Sequence, residues 1–165
     1  MKSFCAFTLL GLSALLGGCG DSQPAASGGG KTEVLRGIIA SASDCTSFGP
    51  EAVKACSEAI ERAVTRHESV STTYNNIEAC ETAVGESKCE RAVSGKYRQR
   101  LAAFLVALGT TPRAEPLYPA KNGAVGFQSA DRSTYLASDR SITFSRLALS
   151  VAESEATPSK TGRRS

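Results

Sequence analysis

Four cysteines and one histidine are the side chains in this sequence best able to do chemistry. Cys45, Cys56, Cys80 and Cys89 are separated by ten, twenty-three and eight residues, and His67 is the sole histidine. Thiolates can ligate a metal, attack a substrate or pair into disulfides. A four-cysteine zinc site normally shows close C-x₂₋₄-C pairs, and the gaps here are wider. A Cys-x-x-Cys redox motif is also missing, so oxidoreductase chemistry has no support. An even number of cysteines points to disulfides if the compartment is oxidising.

Three pairings are possible. The nested one, Cys45–Cys89 around Cys56–Cys80, is preferred because it staples segments that otherwise share little core. The sequential one, Cys45–Cys56 and Cys80–Cys89, closes two local loops and is the alternative. The nested bridges would close loops of about 25 to 45 residues, worth roughly 3 to 4 kcal/mol each in the chain-entropy model.

His67 alone cannot build a two-histidine metal site within one chain. It could serve a Ser-His-Asp triad, but no G-x-S-x-G elbow places a serine. Its position near the end of a helical segment suits a positive charge against the helix dipole. Glu58, Glu61, Glu78 and Glu81 lie on helical segments and read as a solvated face. No phosphate loop is present, and no cofactor is implied.

The compartment is legible at the N-terminus. Lys2 precedes an apolar run from Phe4 to Leu16. A spanning helix needs about 20 such residues; a shorter run ending in small residues has the layout of a secretory signal. Leu16-Gly17-Gly18-Cys19 resembles the bacterial lipobox. That resemblance implies cleavage after residue 18 and acylation of Cys19, with Cys5 lost in the leader. Two or more acyl chains hold a protein on a membrane where one barely does. Gly20 follows the cysteine and Asp21 comes one place later. An aspartate directly after the cysteine would favour the inner membrane, so the outer membrane is favoured.

The elements that must position these residues follow. Residues 19–31 are the acylated cysteine and a glycine-rich tether reaching roughly 19 Å on average. A single domain spans 32–152, and 153–165 reads as a loose tail. Glu33 to Ala40 reads as a strand. Ser41 to Asp44 can cap a helical turn that Gly49 ends, and Pro50 suits the start of a helix. Val53, Cys56, Ile60, Ala63, Val64 and His67 fall on one face of a helix over 51–67, where Glu58 and Arg62 can pair. Asn76 caps a second helix, Ile77 to Val84, which Gly85 stops. A third helix is expected over about 90–108, ending in LAAFLVAL. That stretch is a core helix or, with Arg98 and Arg100 beside it, a surface docking on a membrane or partner. After Pro112, turn clusters at 121–123, 130–133 and 138–141 separate short strands around Leu117, Gly126, Tyr135 and Thr143. The fold class is α+β: a disulfide-stapled helical half followed by a small antiparallel hairpin region.

Charge divides the same way. Residues 20–90 hold six Lys/Arg against eleven Asp/Glu, and 91–165 hold twelve against five. A basic face could meet anionic lipid head groups or cell-wall polymers. No stacking-aromatic motif supports nucleic acid.

The spacing of Asp44-Cys45, Cys56, Cys80 and Cys89 resembles the YgiB-like family of uncharacterised bacterial envelope proteins. Tyr74 before the third cysteine, Pro116-Leu117-Tyr118, Gly126-Phe127 and the lipobox-like cysteine extend the likeness over about residues 33–136. Relatives often carry a longer Gly/Ser-rich segment after the fourth cysteine and a longer low-complexity tail; both are short here. The resemblance implies a domain of unknown function and carries over no catalytic or binding residue.

The expectation is therefore an envelope lipoprotein, held at the membrane through Cys19, that binds a partner or maintains the envelope without catalysis. Its partner would be an envelope protein, an anionic lipid or a cell-wall polymer. The alternative is a cell-wall-modifying hydrolase built on His67 or a glutamate pair.

Overall fold

The computed structural model describes residues 34–157. The expected signal sequence, the expected lipidation site Cys19, the expected tether and residues 158–165 lie outside the described residues. The chain runs β1 (Leu35–Ile39), a 3₁₀ segment (Ala42–Phe48), α1 (Val53–Val70), β2 (Thr73–Tyr74), α2 (Ile77–Val84), β3 (Cys89–Arg91), β4 (Tyr97–Gln99), β5 (Ala103–Leu108), β6 (Arg113–Pro119), β7 (Gly126–Ser129), β8 (Thr134–Leu136), β9 (Thr143–Phe144) and α3 (Arg146–Ala156). This is α+β, with a six-stranded sheet ordered β8-β7-β6-β5-β1-β9 and a three-stranded sheet ordered β2-β4-β3.

The apolar run ending at Leu108 is the centre of the large sheet, not a helix and not a docking surface. Every residue of β5 is buried. Phe104, Val106 and Leu108 pack with Ile60 and Ala63 of α1. Ala103 and Leu105 face the other way, against Ala148 and Ala152 of α3 together with Leu117 and Phe127. A strand covered on both faces has no polar alternation, so its six residues read like part of a buried helix. The turn at 109–112 then reverses the chain into β6, with Val106 opposite Ala114.

The two ends of the domain close on this sheet together. β1 pairs antiparallel with β5, and β9 lies parallel to β1 through Gly37–Thr143 and Ile38–Phe144. The sheet is thus mixed rather than wholly antiparallel hairpins. Gly37 permits the approach: a Cβ there would lie 3.2 Å from both the Phe48 ring and the Thr143 carbonyl. Asp44 bridges the same corner, accepting from the Ala40 amide at 3.0 Å and the Ser145 hydroxyl at 2.7 Å. Ser145 in turn caps α3 by accepting from the Ala148 amide. That helix continues through Ala156, so the ordered domain passes the boundary expected at 152.

Helix α2 forms where the sequence places it. The Asn76 side chain accepts from the Ala79 amide at 2.8 Å, and Gly85, with φ 114°, ends it. Helix α1 begins at Val53, after a 3₁₀ turn over Pro50–Ala52, and runs three residues beyond the expected end at 67. Arg62 does not pair with Glu58; its guanidinium donates to the Pro112 carbonyl at 3.0 Å.

The disulfides are sequential: Cys45–Cys56 and Cys80–Cys89, with Cα separations of 5.8 and 6.2 Å. The nested pairing assumed that α1 and α2 pack on each other. Instead α1 lies on β5 and β6, while α2 packs on β2, β3 and β4. Gly49-Pro50 folds the 3₁₀ segment back along α1, and Gly85 returns the chain so that β3 passes α2. Each short loop contributes roughly 2.5–3 kcal/mol in the chain-entropy model, less than the longer nested loops would.

Candidate functional site

The last turn of α1 brings Ala63 and His67 onto its buried face, opposite β6. Residues four apart share a helical stripe, and Tyr118 of β6 meets His67 there. The imidazole Nδ1 lies 2.9 Å from the Tyr118 hydroxyl and 2.8 Å from the Ser71 Oγ. The two rings are tilted, with centroids 5.5 Å apart. On the other edge Nε2 is 3.6 Å from Glu90 Oε1 and has no hydrogen-bond partner.

Glu90 belongs to β3 and is register-paired with Arg98 of β4. The Arg98 Nε donates to Glu90 Oε1 at 2.8 Å, and Glu68 of α1 lies 3.6 Å from the same guanidinium. This network ties the small sheet to the end of α1. Loss of water around His67, and then the charge of Arg98, hold its pKa below 6.5; Glu90 and Glu68 pull the other way. Burial raises the Tyr118 pKa. The phenol therefore keeps its proton at neutral pH beside a neutral imidazole. His67 sits in the last turn of α1, as expected, but it is not the dipole-stabilising cation that position suggested: burial outweighs the helix terminus.

His67 is 1% exposed. A general base must reach the proton it takes, and this imidazole has its Nδ1 engaged and no exposed edge. The four glutamates weighed from the sequence do not converge. Glu58, Glu61 and Glu78 are exposed, and Glu81 accepts from the Ser87 amide at 2.9 Å. Among the described residues, no group of three histidine, cysteine, aspartate or glutamate side chains could hold a metal ion.

Beside this network lies a cleft of about 410 Å³ that wraps the free edge of β6. The edge exists because β7 pairs only with Leu117–Pro119, and Pro116 lacks the amide that further pairing would use. Sheet register puts Arg36, Ala107 and Arg113 in one row across β1, β5 and β6, with Leu105 and Glu115 in the next. Strands two apart are separated by about 9.5 Å, so the small Ala107 leaves a gap between the two arginines. Arg66 reaches the cleft from α1. Arg62, Arg98 and Arg100 are all engaged by carbonyls or carboxylates. Among the described residues, Arg36, Arg66 and Arg113 have neither an ion pair nor a side-chain hydrogen bond. Burial, and then Asp131, raise the Glu115 pKa, while Arg36, Arg113 and Arg66 oppose the shift. Their charges are therefore all felt at one carboxyl.

Sequence reasoning placed a strand only around Leu117 and missed this cleft. The available signal was the pair Arg113 and Glu115 alternating with Ala114 and Pro116 just after the 109–112 turn, which is a half-exposed strand pattern.

A family model described as "Protein of unknown function (DUF1190)" matches residues 34–164. No curated protein and no solved structure matches the chain. No helix among the described residues is long and apolar enough to cross a membrane.

Proposed function

The chain belongs to the DUF1190 family of proteins of unknown function, and from that premise we propose that it is a bacterial envelope lipoprotein which works by binding rather than by catalysis. The observation that carries this reading is the pair of disulfides, both of which include fully buried sulfurs. Such bridges persist in oxidising compartments, and the lipobox-like Leu16-Gly17-Gly18-Cys19 supplies a route to one. Acyl chains on Cys19 would hold the domain at the membrane through the 20–31 tether, on the periplasmic side and at the outer rather than the inner membrane.

The enclosure of His67 supports a binding role over a hydrolase. Its Nδ1 lies within hydrogen-bond distance of both Tyr118 and Ser71, and Ser71 donates its one proton to the His67 carbonyl. A serine so held is spent on closing the helix rather than poised as a nucleophile. Labelling cells with palmitate tests the anchor: the wild-type chain takes up label and Cys19→Ser does not. Labelling that survives Cys19→Ser contradicts it. For the hydrolase alternative, a His67→Gln variant that abolishes the protein's cellular effect while leaving the folded domain intact would contradict the binding reading.

A further inference from the structure

We propose that the cleft at the β6 edge is a binding site for a phosphate group, held by Arg36, Arg66 and Arg113. The proposal takes from the preceding reading only that the domain works by binding. Three observations converge. First, the three guanidiniums come from β1, α1 and β6, so the fold, not a run of basic sequence, gathers them. Second, they have no internal partner among the described residues, whereas Arg62, Arg98 and Arg100 do. Third, they line one cleft rather than a flat surface: Arg36 and Arg113 stand on the sheet face of Leu105 and Ala107, and Arg66 lines it from the α1 side of the β6 edge.

Charge favours phosphate over a single carboxylate. Three arginines and Glu115 leave the lining with two positive charges in excess, while His67 is neutral and Asp131 is turned into its own loop by Ser129 and Ser133. A phosphomonoester carries about −1.5 to −2 at neutral pH, close to that excess. Planar guanidinium forks match phosphate oxygens two at a time, and three forks from different directions suit a tetrahedral anion. Leu105 and Ala107 on that face, and Val70 at the rim, would accept the carbon skeleton attached to it. In the envelope the phosphate could belong to a lipid head group or to a soluble phosphoester, and the same groups would recognise both.

The test uses the full chain purified in a nonionic detergent with its disulfides intact. Glycerol 3-phosphate is titrated by calorimetry, and vesicles of phosphatidic acid, a phosphomonoester lipid, and of phosphatidylcholine are compared by flotation. Arg36→Gln with Arg113→Gln removes two cleft charges; Arg140→Gln with Arg146→Gln removes two equally exposed charges outside the cleft. Saturable binding of either phosphate probe, weakened at least about tenfold by the cleft pair and less than about twofold by the control pair, is the expected result. Binding of glycerol 3-phosphate identifies a soluble source; binding confined to phosphatidic acid vesicles and lost with the cleft pair identifies a lipid. No saturable binding of any phosphate probe overturns the proposal. So does equal weakening by both pairs, which would mean diffuse surface attraction. Arg36→Lys keeps the charge without the fork and should fall between wild type and Arg36→Gln. Because purified protein is used, failure here leaves the palmitate result on Cys19 standing, and failure there leaves this result standing.

Discussion

The large and small sheets of this domain are held by different forces. The six-stranded sheet lies between α1 and α3, and its centre, β5, is apolar and covered on both faces. Burial at roughly 25 cal/mol per Å² of apolar surface supplies its cohesion. The β2-β4-β3 sheet has strands of two and three residues and, with α2, buries little beyond Cys80 and Arg98. So small an antiparallel unit is marginal alone. It is joined to the rest by the Glu90–Arg98–Glu68 ion network and braced within by Cys80–Cys89. Where a segment cannot bury enough apolar area, covalent and charged links take over.

The sharpest way to break that contrast is to cut equally into both regions. Phe127 is fully buried and stacks on Phe144 with centroids 5.9 Å apart. Phe127→Ala should cost about 3–5 kcal/mol, seen as a large fall in the urea midpoint for the whole domain. Ile77→Ala, on half-exposed α2, should cost less than about 1 kcal/mol. Comparable losses would mean the small region shares the main core.

Removing one bridge at a time sharpens the comparison. Cys80→Ser with Cys89→Ser should cost roughly 2.5–3 kcal/mol, with amide exchange rising first in α2, β3 and β4. Uniform acceleration across β5 and β6 would show that the two regions unfold as one. A smaller loss is expected from Glu90→Ala, which leaves Arg98 with only the longer contact to Glu68. Because Glu90 is partly exposed, the cost should be about 1–2 kcal/mol, read from thermal unfolding. Arg98→Met in the same background should recover part of it, since it removes the under-compensated buried charge.

The smallest effect is a pH dependence. Burial holds the folded-state pKa of His67 below 6.5, so the unfolded chain takes up that proton first as pH falls. Its contribution is fully present above about pH 6.5 and declines below it, down through the folded pKa. Glu115 acts with the opposite sign: its folded pKa is raised above 4.5, so its contribution is present below that value and is lost as pH rises. The difference between wild type and His67→Gln isolates the histidine. That difference should shrink steadily as pH falls from 7 to 5; a constant offset would mean His67 contributes packing alone.

Local chemistry made much of the fold legible. Asn76 and Gly85 bound α2 because caps and positive-φ glycines act within a few residues. The stripe from Cys56 to His67 marks α1 because one face of it is buried and the other is not. What failed was whatever depends on distant packing. Six apolar residues with no alternation cannot declare whether two helices or one flank them, so β5 read as a helix. The disulfide pairing turned on whether α1 and α2 are neighbours, which no local signal states. Helix α3 buries a narrow alanine face at Ala148 and Ala152, too small a stripe to separate from a loose tail. The arginine cleft was least visible, since Arg36, Arg66 and Arg113 lie far apart in the chain and meet only through sheet register and the packing of α1.

The most direct test of the account is mass spectrometry of non-reduced peptides from the protein extracted from membranes. The account predicts an N-terminal peptide beginning at acylated Cys19, with Cys45 linked to Cys56 and Cys80 linked to Cys89. An unprocessed Met1, free thiols at those four positions, or peptides linking Cys56 to Cys80 would contradict it.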